Sequence, residues 1–164
     1  MKNTKQAIAG ILVLGATCLG SNGYASEVNL YDELSKINQE VNKIKYARDV
    51  DVYGMTEYWA TPEEFRKNGG DCEDFVIAKY DLVKSLVGVD DVEIKIINGM
   101  LHSTNQGHVV LRVGDKILDN RFNEIRGLDS LQDFLFYNQI DPKLLPEIME
   151  YKKQGKVYNL YEKN

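Results

Sequence analysis

Cysteine is scarce in this sequence, which has only two among its 164 residues, Cys18 and Cys72. Cys18 lies in an N-terminal segment with the pattern of an export signal, and its removal would leave Cys72 with no disulfide partner in the chain. Exported proteins usually pair their cysteines. A single thiol is therefore either buried and inert or kept for its reactivity, and the count alone favours the buried alternative.

Long apolar runs are also lacking. The longest, from Ala7 to Leu19, falls short of the roughly 20 residues of a membrane-spanning helix, follows a basic start and precedes a small-x-small site ending at Ala25. This pattern predicts a secretory signal peptide over residues 1–25, then one domain over residues 26–164 with no membrane insertion after cleavage. A lipoprotein signal at Cys18 is the alternative, but a threonine precedes that cysteine.

Positive charge is not in excess. The formal net charge is −5 at pH 7, and the predicted signal peptide carries two lysines and no acidic residue, so its loss makes the chain more acidic. An acidic chain argues against a nucleic-acid partner and against binding to an anionic membrane surface. The sequence also lacks internal repeats and low-complexity tracts.

The spacing of apolar residues predicts helices followed by strands. Helical spacing predicts helices at Leu30 to Ile44, Pro62 to Lys67, Cys72 to Leu86 and Leu128 to Ile140. Alternation predicts strands at Val92 to Ile97, His108 to Val113 and Lys116 to Asp119. Gly114 and Asp115 join the last two strands as a tight hairpin. Helices leading into antiparallel strands indicate an α+β domain.

Cys72 occupies the first turn of a predicted helix, with Asp71 as its cap. Free backbone N–H groups and the helix dipole favour a thiolate at that position. Gly69 and Gly70 just before it would let the backbone approach a substrate and leave the thiol uncrowded. These features favour a reactive cysteine over a buried one.

A cysteine nucleophile needs a base, and the chain contains only two histidines, His102 and His108. With a two-residue hairpin turn, Val110 faces Asp119, and His108 points to the same face one diagonal step away, about 7–8 Å between backbones. Asp119 can therefore orient His108, unless both residues merely mark exposed strand ends. His102 lies in a turn-rich stretch with no acid placed near it, and we interpret it as a surface histidine.

Three carboxylates flank the predicted nucleophile, those of Asp71, Glu73 and Asp74. Their charges should raise the pKa of the Cys72 thiol and oppose the helix effect. A hard cation such as Ca²⁺ would offset them, although acids also favour helix first turns without any metal. The pattern is not an EF-hand loop, which has alternating acids and a central glycine.

The sequence resembles the bacterial transglutaminase-like cysteine proteinases, the LapG-type periplasmic proteases. The most specific segment is Gly69-Gly70-Asp71-Cys72-Glu73-Asp74-Phe75. Further matching segments are 58–65, 78–80, 107–111 and 118–120, with residues 41, 42, 44 and 46 upstream. The resemblance spans about residues 38 to 122.

The resemblance implies a papain-like α+β core, with the nucleophile at a helix N-terminus packed on an antiparallel sheet. It implies a triad of Cys72, His108 and Asp119, and a calcium site formed by Asp71, Glu73 and Asp74. It further implies a periplasmic endopeptidase that cleaves a large surface adhesin near its N-terminus and so controls biofilm release. Members of the family are held back by an inner-membrane receptor for cyclic di-GMP, which makes such a receptor a possible partner here.

Three alternatives remain on sequence grounds. A cell-wall endopeptidase of the NlpC/P60 type shares the Cys and His layout, but small residues replace the acids that follow the cysteine. A catalytically silent module could use the acidic groove to bind a peptide or calcium. Transglutaminase activity, with an amine in place of water, would use the same three residues.

Overall fold

The structure is a computed structural model and describes residues 23–86, 89, 92–156 and 158. The predicted signal peptide therefore lies mostly outside the described residues, and the proposed boundary at Ala25 stays a prediction. Among the described residues, no helix combines the length and apolar character needed to cross a bilayer.

Four helices precede the strands. They are α1 (Gly23–Val41), α2 (Asp49–Val52), α3 (Pro62–Asn68) and α4 (Cys72–Val83). The start of α3 is capped, because the Thr61 hydroxyl accepts a hydrogen bond from the Glu64 backbone while the Glu64 carboxylate accepts one from the Thr61 backbone. This reciprocal arrangement satisfies two N–H groups that the helix start would leave free.

Five strands form one antiparallel sheet in the order β4-β3-β2-β1-β5. They are β1 (Ile94–Leu101), β2 (Gly107–Val113), β3 (Lys116–Leu118), β4 (Arg126–Gly127) and β5 (Phe134–Ile140). Helices on one side and an antiparallel sheet on the other confirm the predicted α+β class.

The hairpin between β2 and β3 has the predicted register. Val113 pairs with Lys116 and Leu111 pairs with Leu118, so the turn contains two residues. Gly114 adopts a φ of 58°, a left-handed conformation that such a turn requires and that glycine adopts without steric cost.

The prediction of a helix from Leu128 to Ile140 is wrong. A 3-10 helix covers Leu128–Asp133, and β5 follows as an edge strand paired with β1. Leucines spaced three and four residues apart imitate a helical stripe, but the run after Asp133 is aromatic, a composition typical of strands. Pairing with β1, far away in the sequence, decides the outcome.

Two apolar layers position the site, one on each face of the sheet. On the helical face, side chains of α1 and α4 pack against β1, β2 and β3, with Leu34, Val76, Ile96 and Leu111 at the centre. The opposite face buries a smaller cluster of Ile97, Leu101, Val110, Ile117 and Phe134. The chain after β5 forms α5 (Leu145–Lys153), with Pro146 in its first turn.

Candidate active site

Cys72 is the first residue of α4, and its thiol lies against β2. The backbone N–H of Val109 acts as a hydrogen-bond donor to the Cys72 sulfur, which places the thiol beside the residue that follows His108. Cys72 Sγ also donates to Glu73 Oε2 at 3.3 Å. The helix start and the start of β2 are thus in contact at this sulfur.

His108 and Asp119 form a buried pair on the β2–β3 hairpin. His108 Nε2 and Asp119 Oδ1 are 2.9 Å apart, and the two side chains are only 6% and 3% exposed. His108 and Asp119, which the hairpin register predicted to be diagonal neighbours on one face, are therefore joined by a direct hydrogen bond. His102, by contrast, is exposed in the turn after β1.

Asp119 is held as an anion by its surroundings. Burial alone would raise the pKa of this carboxyl, but hydrogen bonds from His108 and Arg121 outweigh that effect and lower it well below the ordinary value. An ionised carboxylate is the form that can accept the His108 N–H and fix the tautomer of the ring.

The surroundings of Cys72 raise the pKa of its thiol, whereas those of Asp119 lower the pKa of its carboxyl. Burial, followed by the charges of Glu73 and Asp71, raises the pKa of the Cys72 thiol well above its usual range. The N–H of Val109 favours the thiolate but does not offset these effects. These groups therefore favour the protonated thiol over the thiolate.

Two overlapping acidic groups lie at the start of α4. Ligand atoms of Asp71, Cys72 and Glu73 lie within 4.8 Å of one another, and so do those of Asp49, Asp71 and Asp74. Asp71 belongs to both groups, whereas Glu73 belongs only to the first and Asp74 only to the second. Asp49, which belongs to α2, has no pattern in the sequence that connects it with Cys72.

Both carboxylate oxygens of Asp74 accept hydrogen bonds from backbone N–H groups. Its Oδ1 accepts from the Ala60 N–H at 2.7 Å, and its Oδ2 accepts from the Asp71 N–H at 3.3 Å. Burial raises the pKa of Asp74 to about 8 in spite of these bonds. Its carboxylate ties the start of α4 to the segment before α3.

The two glycines before Cys72 have a packing role. A Cβ at Gly70 would lie 2.0 Å from Asp74 Oδ2, and a Cβ at Gly69, which adopts a φ of 79°, would lie 2.4 Å from the Lys45 carbonyl oxygen. We expected these glycines to give a substrate access to the thiol. The structure shows that they also admit the Asp74 carboxylate and the neighbouring backbone, and the access of a substrate stays a prediction.

The acidic groups have the chemistry of a hard-cation site. Asp49 is almost fully buried, and its Oδ1 and the Oδ1 of Asp71 accept no hydrogen bond among the described residues. Burial, together with neighbouring negative charge, raises the pKa of Asp49 to about 6 and raises those of Asp71 and Glu73. Buried carboxylate oxygens without donors are suitable ligands for Ca²⁺, which prefers oxygen and would supply the missing positive charge.

Tyr46 is one of the upstream residues of the family resemblance, which assigned it no role, and its phenol is affected by the charges around the thiol. Its backbone bridges to Gly70, and its side chain is 56% exposed. Its pKa is raised by partial burial and then by the charges of Asp71, Cys72 and Glu73. The phenol therefore lies in the same electrostatic field as the nucleophile.

Comparisons with known proteins agree with the fold. Residues 18–139 match the family model of the bacterial transglutaminase-like cysteine proteinases. The structure is similar to that of calcium-bound LapG from Legionella pneumophila, with a TM-score of 0.54 and 28% identity over 71% of each chain. A second structure of Legionella pneumophila LapG has a TM-score of 0.58 and 25% identity over 81% of this chain and 86% of that one.

An EGTA-treated form of the same Legionella protein gives a TM-score of 0.58 at 24% identity, covering 81% of this chain and 88% of that one. It supports the fold. The search of curated proteins found no match.

Proposed function

Because this chain belongs to the bacterial transglutaminase-like cysteine proteinase family, we propose that it is a calcium-dependent periplasmic cysteine endopeptidase. In this proposal it cleaves a large surface adhesin near the adhesin N-terminus and thereby controls biofilm release. The observation that carries the proposal is the buried His108–Asp119 pair beside the start of α4, where the thiol of Cys72 lies. The adhesin and an inner-membrane cyclic di-GMP receptor are partners inferred from the family resemblance.

Cys72, His108 and Asp119 are assigned as the triad. Asp119 engages Nε2 of His108, so Nδ1 is the nitrogen left to take the proton from Cys72. The thiolate then attacks a peptide carbonyl and releases the amine, which receives the proton from His108. Water, deprotonated by the same imidazole, hydrolyses the acyl-enzyme and restores the thiol.

Asp71 and Glu73 are assigned as calcium ligands, together with Asp74 and Asp49, whose ligand atoms lie within 4.8 Å of that of Asp71. A calcium ion bound there would supply positive charge that lowers the pKa of the Cys72 thiol. The carboxylates would hold the cation beside the first turn of α4, where the backbone N–H of Val109 donates to the sulfur. This assignment explains why three acids can flank a reactive thiol.

The test is incubation of residues 26–164 with N-terminal fragments of adhesins from the same genome, with calcium and with excess EGTA. We expect one cut near the adhesin N-terminus with calcium, its loss in EGTA and its return when calcium is added back. Cys72→Ala should abolish the cut while leaving the circular dichroism spectrum unchanged. Full activity in EGTA would remove calcium from the proposal, and cleavage by Cys72→Ala would remove the nucleophile.

A further inference from the structure

Arg121 contacts the carboxylate of Asp119 from the side opposite His108. Its Nη2 and Nε donate to Asp119 Oδ2 at 2.7 and 3.0 Å, and its backbone N–H donates to Oδ1 at 2.9 Å. Nε2 of His108 is hydrogen-bonded to the same Oδ1 at 2.9 Å. The guanidinium therefore occupies Oδ2 entirely and leaves Oδ1 to face the imidazole.

From this geometry we propose that Arg121 is a positioning residue for catalysis, holding Asp119 in the orientation that presents Oδ1 to His108. The inference rests on the proposed function, because it assigns Arg121 to the same triad. Without the guanidinium, a buried carboxylate would keep one oxygen without a donor and could turn about its terminal torsion. The two charge-assisted hydrogen bonds from the Arg121 guanidinium supply that oxygen with donors and prevent the rotation.

The segment that carries Arg121 is fixed to the rest of the molecule. Asn42 Nδ2 on the turn after α1 donates to the backbone oxygens of Asp119 and Phe122 at 3.0 and 2.8 Å. Asn38 Nδ2 donates to the backbone oxygens of Phe122 and Asn123 at 2.8 and 3.0 Å. Asn38 in α1 and Asn42 just after it thus hold the backbone of the loop that carries Arg121.

The ring of Phe122 provides an internal comparison. The guanidinium of Arg121 lies 5.1 Å from its centroid, and that of Arg126 lies 4.5 Å from it. Both arginines contact the same aromatic ring. Of the two, Arg121 is the one that donates the described hydrogen bonds to Asp119. Substitution of Arg126 therefore controls for loss of an arginine that stacks on this loop.

The charged groups that face Asp119 are few among the described residues. They are His108 on β2, Arg121 on the loop, and Lys79, which is buried on α4 and acts on Asp119 through its charge. Asp133 approaches Arg121 from outside, with 4.0 Å between its Oδ2 and Nη2. Loss of Arg121 removes the only cation that contacts Asp119 Oδ2 among these groups, so the Asp119 pKa should rise.

The experiment compares Arg121→Met, Arg121→Lys and Arg126→Met in the calcium-loaded mature chain. Arg121→Met should lower kcat by about 10- to 100-fold with little change in KM, the expected result when a catalytic group loses its orientation. The acid limb of the pH profile of kcat/KM should move to higher pH. Arg121→Lys should recover part of kcat, and Arg126→Met should match the wild type.

A second readout needs no peptide substrate. The rate at which iodoacetamide alkylates Cys72 is measured against pH in the wild type, His108→Ala and the arginine variants. Equal rates in the wild type and His108→Ala would refute the triad itself. A wild type faster than His108→Ala, together with an unchanged Arg121→Met or an equally slowed Arg126→Met, would overturn the role of Arg121 alone. If Arg121→Met does not fold by circular dichroism, Arg121→Lys against Arg126→Lys makes the same comparison.

Discussion

The candidate site has two halves that balance charge differently. In the histidine half, formed by His108, Asp119 and Arg121, the carboxylate has a donor on each oxygen. In the thiol half, formed by Cys72 and the four acids around it (Asp49, Asp71, Glu73 and Asp74), the buried Oδ1 atoms of Asp49 and Asp71 accept no hydrogen bond among the described residues.

The pKa directions reflect this contrast. The pKa of Asp119 is lowered, whereas burial and crowding raise those of Asp74, Asp71 and Glu73. The histidine half is complete with protein groups alone. In the thiol half, protons or a bound cation would balance the acidic charge, so we expect pH and calcium to affect this half more than the other.

The largest expected effect lies in the histidine half. His108→Ala should lower kcat/KM by about 10²- to 10⁴-fold, because the general base is lost. His102→Ala is the matched control, since that side chain is exposed in the turn after β1, and it should leave kcat/KM unchanged. Steady-state kinetics on a cleaved peptide check both variants. A similar loss of kcat/KM in both variants would contradict the assignment of His108 as the general base.

Calcium binding tests the thiol half. Asp49→Asn should weaken calcium binding by about tenfold or more, because it removes a charged oxygen ligand from a buried site. Asp51→Asn is the control, since Asp51 lies in the same helix but is exposed and paired with Arg48. Isothermal titration of the calcium-free protein measures both affinities. Equal affinities would place the ion away from Asp49.

A glycine substitution tests how tightly the thiol half is packed. Gly70→Ala should destabilise the protein by about 1–3 kcal/mol, because its Cβ would overlap the Asp74 carboxylate. Gly107→Ala, where a Cβ meets nothing within 4 Å, should cost much less. Urea unfolding monitored by circular dichroism gives both values, and equal costs would mean that Asp74 moves aside freely.

The smallest effect is a pH dependence of stability in EGTA. The pKa of Asp74 is raised to about 8 and that of Asp49 to about 6, so folding takes up protons between the unfolded value near 4 and these values. The calcium-free protein should therefore lose stability as the pH rises through that window. Saturating calcium should remove this loss.

Thermal unfolding at about pH 5 and about pH 8, with EGTA and with calcium, measures the effect. The Asp119 pKa shift has the opposite sign, so the stability it provides is present above about pH 4 and is lost as the pH falls further. A Tm in EGTA that rises from pH 5 to pH 8 would contradict the charge imbalance of the thiol half.

Local patterns were sufficient to predict much of this molecule. The hairpin register follows from a two-residue turn and the alternation of side chains, which placed His108 and Asp119 on one face. The start of α4 at Cys72 follows from the residues beside it. Each of these inferences needs only neighbours in the sequence.

Contacts between distant segments were not predictable. The run from Phe134 to Ile140 becomes a strand because β1 is available to pair with it. Asp49 reaches the thiol half because α2 folds against the start of α4, and nothing near Asp49 in the sequence signals this contact. The role of Gly70 likewise depends on the direction of the Asp74 side chain.

The length of the turn between β2 and β3 determines where Asp119 lies relative to His108, although the turn is at the far end of the hairpin from His108. One residue inserted between Gly114 and Asp115 would shift the pairing of Leu111 with Leu118 by one position. Each side chain of β3 would then change faces, and the carboxylate at its end would turn away from the imidazole. Chain length in a solvent-facing turn thus sets a distance inside the buried site.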